Sequence, residues 1–362
     1  MGWSKHHQTG LIYEDKSKYF DGYTLITGTG GGLSSDSLAV LIDMEGNVIH
    51  SWHSQRGIRY GHLLDNGNML CRLRHPEYLA EHIRPMGGSG RGIIEIDPKS
   101  NVVWEYYNDY YHHDHYRLED GTTAVLTWEE VTDEVRSKIK GGVTPDDYPD
   151  QLFGDCIEII DNSGNVLYKW NSWEHLDFNE DVICPLETRR EWTHGNAIGY
   201  GGEGKFLVSY RNISMIALLD IKTGEFVWKW GNSILSHQHS PSLLKNGNIL
   251  VFDNGCHRQG LPFSKIIEIN PNTNEIEWEY SGDPFISFFS SNISSCERLP
   301  NGNTLITEGA PGRIFEITHE KEIVWEYINP FEVQGEAPIP KNAIFRSHRY
   351  DKNHPAIQKI LG

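Results

Sequence analysis

The chain alternates apolar and polar residues in short runs, and one such run returns six times with its aromatic or imidazole rings two positions apart. It reads NVIHSW at 47–52, NVVWEY at 101–106, NVLYKW at 165–170, EFVWKW at 225–230, EIEWEY at 275–280 and EIVWEY at 322–327. Aligning His50, Trp104, Tyr168, Trp228, Trp278 and Trp325 gives intervals of 54, 64, 60, 50 and 47 residues. Period-two alternation marks a half-buried strand, and aromatic side chains favour that pleated surface. Each run follows a shorter apolar segment and a turn, as in VLIDMEGN, IIEIDPKSN, IEIIDNSGN, ALLDIKTGE, IIEINPNTNE and IFEITHEKE. Ahead of these stand LLDNGNML (63–70), LLKNGNIL (243–250) and RLPNGNTL (298–305), with looser versions at 118–126 and 199–208. Asn-Gly between alternating apolar runs is a strong hairpin signal.

Four short strands per repeat and six repeats predict an all-β fold, a six-bladed β-propeller of four-stranded blades. The first repeat, about 22–54, has three strands and no innermost one. The segment NAIFRSHRY (342–350) is expected to supply it and close the ring, which removes the open strand edges. One propeller domain then spans 1–362, with insertions at about 129–153 and 172–192. The first insertion contains EEVTDEVRSKIK (129–140), which has the pattern of a short amphipathic helix. Long inserts on such a scaffold commonly form lids or rims.

Composition narrows the partners. The 362 residues carry 32 Lys+Arg against 50 Asp+Glu, a formal charge of −18, which argues against nucleic acid or an anionic membrane as partner. No run of about 18 apolar residues occurs. Five cysteines (Cys71, Cys156, Cys184, Cys256, Cys296) lack CxxC spacing and suit free thiols in a reducing compartment. The N-terminus has no apolar leader pattern, so a cytoplasmic protein is expected.

Chemistry is expected at the leading ends of the innermost strands, around the channel mouth. There the chain places Tyr60 and His62, His115 and Tyr116, His194 and Asn196, His237 and His239, Ser294 and Ser295, and His348. Histidine recurs in five of the six repeats. One reading is a ring of imidazoles acting as nucleophile, base or metal ligand; the other is a set of turn caps repeated because the blades repeat. Arg211, after the strand containing Tyr210, and Arg258, in FDNGCHR with Asn254 and His257, are candidate anion binders. Arg72, Arg74 and Arg313 hold analogous places. The run YYNDYYHHDHY (106–116) reads as an aromatic blade edge and loop rather than a metal tract or a sugar-stacking platform. GTGGGLSS (28–35) and GGSGRG (87–92) miss the spacing of a dinucleotide loop. Sequons at Asn212 and Asn292 mean little without a secretory signal.

WTHGNAI, FLVSYRN, HQHSPSLLKNGNILVFDNGCHR and NISSCERLPNGNTLITEG, within residues 192–316, resemble the bacterial arylsulfate sulfotransferase family. The closing NPF…NAIFRSHRYDKNHPAI is similar as well. The resemblance implies a six-bladed propeller that moves a sulfuryl group from an aryl sulfate to a phenol through a sulfohistidine. It also implies sulfate-gripping roles for His194, Arg211, His239 and Arg258. The segment where it implies the nucleophile, EGAPGRIFEI (308–317), contains no histidine. That role would then pass to His62, His348 or another channel residue. A second expectation is a lyase, in which Tyr60, Tyr210, His62, His194 and His239 supply acids and bases while Arg211 or Arg258 neutralises a carboxylate. A divalent metal held by three histidines and a non-catalytic binding module are further readings. In the enzyme readings the partner is a small anionic or aromatic substrate, and no cofactor is specified beyond a possible divalent metal.

Overall fold

The structure is a computed structural model that describes residues 8–27, 37–54, 57–73, 83, 86–231, 233–331 and 342–362. Local chemistry makes the hairpins first. In the NGN turns Gly67, Gly247 and Gly302 hold φ near +90°, at 90°, 87° and 91°, a region open to glycine at little cost. The second Asn of each turn then reaches across its own blade. Asn68, Asn248 and Asn303 donate to Glu95, Glu268 and Glu316 on the third strands at 2.6, 2.8 and 2.6 Å. The turns before the outer strands of the first three blades are closed by Asp43, Asp97 and Asp161, whose carboxylates accept from the backbone N–H of Asn47, Asn101 and Asn165.

These hairpins assemble into six antiparallel sheets, the blades of a six-bladed β-propeller. From channel to rim the first blade runs Ser347–Asp351, Gly22–Ile26, Ser37–Ile42 and Val48–Ser54. The second runs Ile58–Leu63, Met69–Leu73, Gly92–Ile96 and Val102–Tyr107; the third Tyr111–Arg117, Thr123–Glu130, Phe153–Ile160 and Val166–Asn171. The fourth runs Gly195–Tyr200, Lys205–Tyr210, Met215–Asp220 and Phe226–Trp230; the fifth His239–Leu243, Ile249–Asp253, Lys265–Ile269 and Ile276–Tyr280. The sixth runs Ser295–Arg298, Thr304–Glu308, Arg313–Ile317 and Ile323–Ile328.

The closing strand begins later than the sequence suggests, at Ser347, and pairs Leu25 with His348. A strand the pattern did not predict, Gly10–Glu14, adds a fifth member to the sixth blade, pairing Leu11 with Tyr327. Its five residues, GLIYE, are too short and too mixed to stand out from sequence. The insertions meet each other: Gly141–Val143 pairs in parallel with Ile183–Thr188. The first also forms a helix, Asp133–Lys138, capped by Thr132. All five cysteines are free. Among the described residues no helix is long and apolar enough to cross a membrane.

The repeated outer aromatic has a defined task. Ring N–H donors of His50, Trp104, Trp170, Trp228, Trp278 and Trp325 bond to Pro98, Asn162, Gly224, Asn274, His319 and Met44, each in the following blade's outer turn, at 2.8 to 2.9 Å. The last of these joins the sixth blade to the first. A second tie recurs at three junctions. Arg117, Arg298 and Arg349 on innermost strands pair with Glu95, Glu268 and Glu316 of the preceding blade. Their guanidiniums lie 4.6, 4.8 and 4.7 Å from the ring centroids of Trp104, Trp278 and Trp325.

Arg349 is the deepest of the three and also bonds Thr24 Oγ1 and the Phe20 carbonyl, at 2.7 and 2.8 Å. Burial raises Glu316 and lowers Arg349, so desolvation outweighs their attraction. Such a pair costs most when one partner is removed. Arg349→Met is therefore expected to destabilise the fold by about 3–5 kcal/mol in urea denaturation. Arg117→Met, at a junction where both side chains are partly exposed, is expected to cost less. Equal losses for the two would contradict this account of closure.

Candidate active site

Innermost strands put their first residues at one mouth of the channel. His194 stands immediately before Gly195–Tyr200, and His239 opens His239–Leu243. His113 lies in the third blade's innermost strand, and its ring meets that of His194 edge to face with centroids 4.5 Å apart. Burial holds His113 well below the ordinary histidine range, with His194, His112, Arg72 and His239 adding to it. Burial and then Arg211 push His239 down to about 3, with Arg346 and His194 acting in the same direction. The three rings thus share one largely dehydrated space.

The hydrogen bonds assign protons to two of these rings. Asn254 uses its amide N–H groups on the carbonyls of Ser290 and Ile293, at 2.8 and 2.9 Å. Its Oδ1, 2.7 Å from His239 Nδ1, must accept. His239 therefore carries its proton on Nδ1, and Nε2 keeps a lone pair. His194 repeats the arrangement, since its Nδ1 lies 2.9 Å from the Glu191 carboxylate, which can only accept when ionised. The other Glu191 oxygen takes the Trp128 indole N–H at 2.9 Å. Trp128 stacks on His112 with centroids 4.2 Å apart, and His112 Nε2 lies 3.1 Å from Asp155. Asp155 in turn accepts from the Thr193 hydroxyl and the Gly195 N–H, fixing the chain on both sides of His194.

This placement stores backbone strain. His113, His194, His237 and His257 hold φ of 45°, 51°, 63° and 65°. Left-handed backbone at a non-glycine residue costs about 1 kcal/mol or more and gathers at functional sites. Gly88 makes room for one of them: a Cβ there would lie 1.9 Å from His113 Cε1. The GGSGRG segment is thus a close-packing device beside the histidines.

The four histidines expected to be catalytic do not form one cluster. His62 lies fifth in its strand, farther along the channel, stacked on His115 with centroids 5.8 Å apart. Tyr60 and His348 join that second group, the Tyr60 hydroxyl 3.5 Å from His348 Nε2. His348 Nδ1 faces Glu297 at 3.4 Å. Burial pushes the Tyr60 hydroxyl up to about 12 and His62 down to about 3. Arg346 is felt by both groups. It bonds Asp114 at 2.8 Å and the Asn196 carbonyl at 3.0 Å, and lies over the Tyr60 ring.

The remaining predicted residues divide. Asn254 orients His239, and Asn196 braces the next blade by donating to the Gln238 carbonyl at 2.7 Å. Arg211 lies beside His239, paired with Glu187 at 2.8 Å. His257 sits next to His237 and Cys184. Tyr210 is different: it is fully buried in the apolar core with Trp192, Phe206 and Met215. Its alternation on the strand turns it between blades rather than toward the channel. Arg258 is held by Asp253 and lies on the Phe263 ring, and Arg313 is held between Glu308 and Glu326. Arg72 bonds the His113 carbonyl at 3.1 Å. Arg74 and the GTGGGLSS segment lie outside the described residues.

Sequence reasoning passed over His113, Glu191 and Arg346. The first lay in the HHDHY tract, read as edge and loop, whereas 111–117 is an innermost strand with its histidines buried. Arg346 was in the closing segment, one position before the strand. Glu191 had no signal, being one acid among many.

This chain belongs to the arylsulfotransferase (ASST) family, whose model matches residues 77–330. No curated protein sequence matches it significantly. Among solved structures it is similar to a Bacteroides caccae protein of unknown function, with a TM-score of 0.55 and 14% identity over 91% of this chain and 98% of that one. That likeness is one of fold. A streptogramin B lyase is similar at a TM-score of 0.47 with 12% identity, over 94% of this chain and 97% of the other, too loosely to bear on function.

Burial of neutral imidazole sets an acid limit on the fold. His62 stays near 3 in the folded chain against an ordinary 6.5, so between those values the folded state binds fewer protons than the unfolded one. Its stabilising contribution is full above about pH 6.5 and falls by about 1.4 kcal/mol per pH unit as the medium acidifies toward 3. His62→Gln is expected to remove close to one proton from the pH dependence of unfolding free energy between about pH 6 and 4. An unchanged slope would mean that the ring is not buried in its neutral form.

Proposed function

We propose that the site formed by His194, His239 and Arg211 takes a small anionic substrate, a sulfated or phenolic aromatic, and transfers a sulfuryl group through His194. The observation that carries this reading is the pair of imidazoles whose Nδ1 atoms are anchored, His194 on the Glu191 carboxylate and His239 on Asn254 Oδ1, which leaves each Nε2 free of that anchor. An oriented, neutral imidazole is the form that acts as nucleophile or base. Family membership supports transfer as the reaction type.

In this reading the His194 Nε2 lone pair attacks sulfur, the bond from sulfur to the aryl oxygen breaks, and a phenolate leaves. The sulfated ring keeps its Nδ1 proton and becomes cationic, and Glu191 offsets that charge where it forms. An acceptor phenol then attacks sulfur, its proton passes to His239 Nε2, and the S–N bond breaks. Return of that proton to a departing phenolate completes the cycle. Arg211 supplies positive charge for the sulfate oxygens. The nucleophile lies before the fourth blade in this scheme, away from 308–317, which has no histidine.

Elimination on a carboxylate substrate is supported less well. Of the acids and bases it draws on, His194 and His239 serve the transfer reading equally, Tyr60 is raised to about 12, His62 lies in the second group, and Tyr210 is in the core.

The scheme separates the two histidines. With 4-nitrophenyl sulfate as donor and a phenol as acceptor, His239→Ala is expected to retain sulfation of the protein by intact mass. Its turnover is expected to fall by about 10²–10⁴-fold. His194→Ala is expected to abolish both. Sulfated protein formed at the wild-type rate by His194→Ala would remove His194 as the nucleophile.

A further inference from the structure

Beside this pocket, and apart from its two histidines, a second group of donors converges. Cys184 and Glu187 come from the strand Ile183–Thr188 of the second insertion, and His237 and His257 from two loops of the fifth blade. Cys184 Sγ lies 3.5 Å from His257 Nδ1. One ligand atom from each of Cys184, His237 and His257 can be chosen so that all lie within 4.8 Å of one another. Glu187 Oε1 stands 3.3 Å from His237 Nδ1 and 3.7 Å from His257 Nδ1. Bonds of about 2.0–2.3 Å around a tetrahedral ion give edges of about 3.3–3.8 Å between donors. The Cys184–His257 separation of 3.5 Å falls in that range, as do those from Glu187 to His237 and His257, at 3.3 and 3.7 Å.

His237 is the independent sign that something is bound. It is 1% exposed; its Nε2 has no hydrogen-bond partner, and its Nδ1 has only the Glu187 carboxylate at 3.3 Å, out of hydrogen-bond alignment. A buried imidazole of this kind forfeits interactions worth about 1–3 kcal/mol unless a partner arrives. Both histidine loops are rigidly joined. Ser236 N–H donates to Asp253 at 2.8 Å, Gly255 N–H to the Ser236 carbonyl at 2.9 Å, and the Ser236 hydroxyl to the Cys256 carbonyl at 2.5 Å. The insertion strand is anchored from its other side by Cys184 N–H to the Asn212 carbonyl at 2.8 Å. The donors are therefore presented by fixed backbone rather than by mobile loops.

We infer that Cys184, His237 and His257 bind a zinc-class divalent cation, with Glu187 beside them, and that the ion fastens the 172–192 insertion to the fifth blade at the channel mouth. Thiolate with imidazole in tetrahedral spacing is a set that zinc favours over magnesium or calcium. Binding displaces the Cys184 thiol proton, because only the thiolate coordinates. The Glu187 carboxylate and the thiolate balance the ion against Arg211, which Glu187 holds at 2.8 Å. The site requires neither His194 nor His239, although it shares Arg211 with the transfer scheme through Glu187.

The test uses the full chain without substrate. Titration with Zn²⁺ alone is expected to give one bound equivalent per chain, and Co²⁺ in its place is expected to show a thiolate-to-cobalt charge-transfer band. Cys184→Ser should lose the band, and His257→Ala should weaken binding by about tenfold or more. Both residues are at least partly exposed, so these variants are expected to fold even if His237→Ala does not. Zn²⁺ should also slow proteolysis within 172–192. Failure to retain Zn²⁺, or wild-type binding by Cys184→Ser and His257→Ala, would overturn the site. Binding that leaves proteolysis unchanged would overturn the fastening role.

Discussion

The fold depends on a bond that every blade makes to the next: a ring N–H on the outer strand reaching an oxygen in the neighbouring turn. Six such bonds run round the molecule, and the one from Trp325 to Met44 closes the circle. A single bond of this kind contributes about 1 kcal/mol net. Its larger effect is geometric, because each blade's position is set by two neighbours. The Arg–Glu pairs stacked on Trp104, Trp278 and Trp325 repeat that constraint nearer the channel. At the seam, Arg349 holds the C-terminal strand against both the first and sixth blades.

A ring held this firmly can carry strained residues at its mouth. His113, His194, His237 and His257 all keep left-handed backbone where their strands begin or turn. Their protonation follows from the same rigidity. Asn254 has its amide committed to two carbonyls, so its remaining oxygen dictates the His239 tautomer. Asp155 and Trp128 hold the Glu191–His194 pair in the same manner. The geometry of this mouth rests on second partners at least as much as on the histidines themselves.

The insertions complete what the repeats begin. Repetition supplies histidines near one structural level, but Glu191, Cys184 and Glu187 come from the non-repeating segment before the fourth blade. That segment leans on the first insertion through Gly141–Val143 and on the fourth blade through the Asn212 carbonyl. It delivers a carboxylate to His194 and a thiol to His257. The candidate site is therefore asymmetric although the frame is not.

Periodic residues were legible in the sequence because they answer to local rules. The NGN turns, the paired outer aromatics and the missing inner strand of the first repeat foretold six blades closed by a C-terminal strand. They placed His194 and His239 at strand starts, because position within a repeat maps directly onto height in the channel. What the sequence left undecided depends on direction and distance. Tyr210 and Arg211 are adjacent, yet alternation turns one into the core and leaves the other beside His239. His62 and His239 occupy similar repeat positions, yet a shift of four residues along their strands separates them into different groups. The protons on His194 and His239, and the approach of Cys184 to His237 and His257, arise between segments far apart in the chain. A repeat specifies its own hairpins through neighbouring residues, whereas a site depends on which repeats and insertions the closed ring brings within bonding distance.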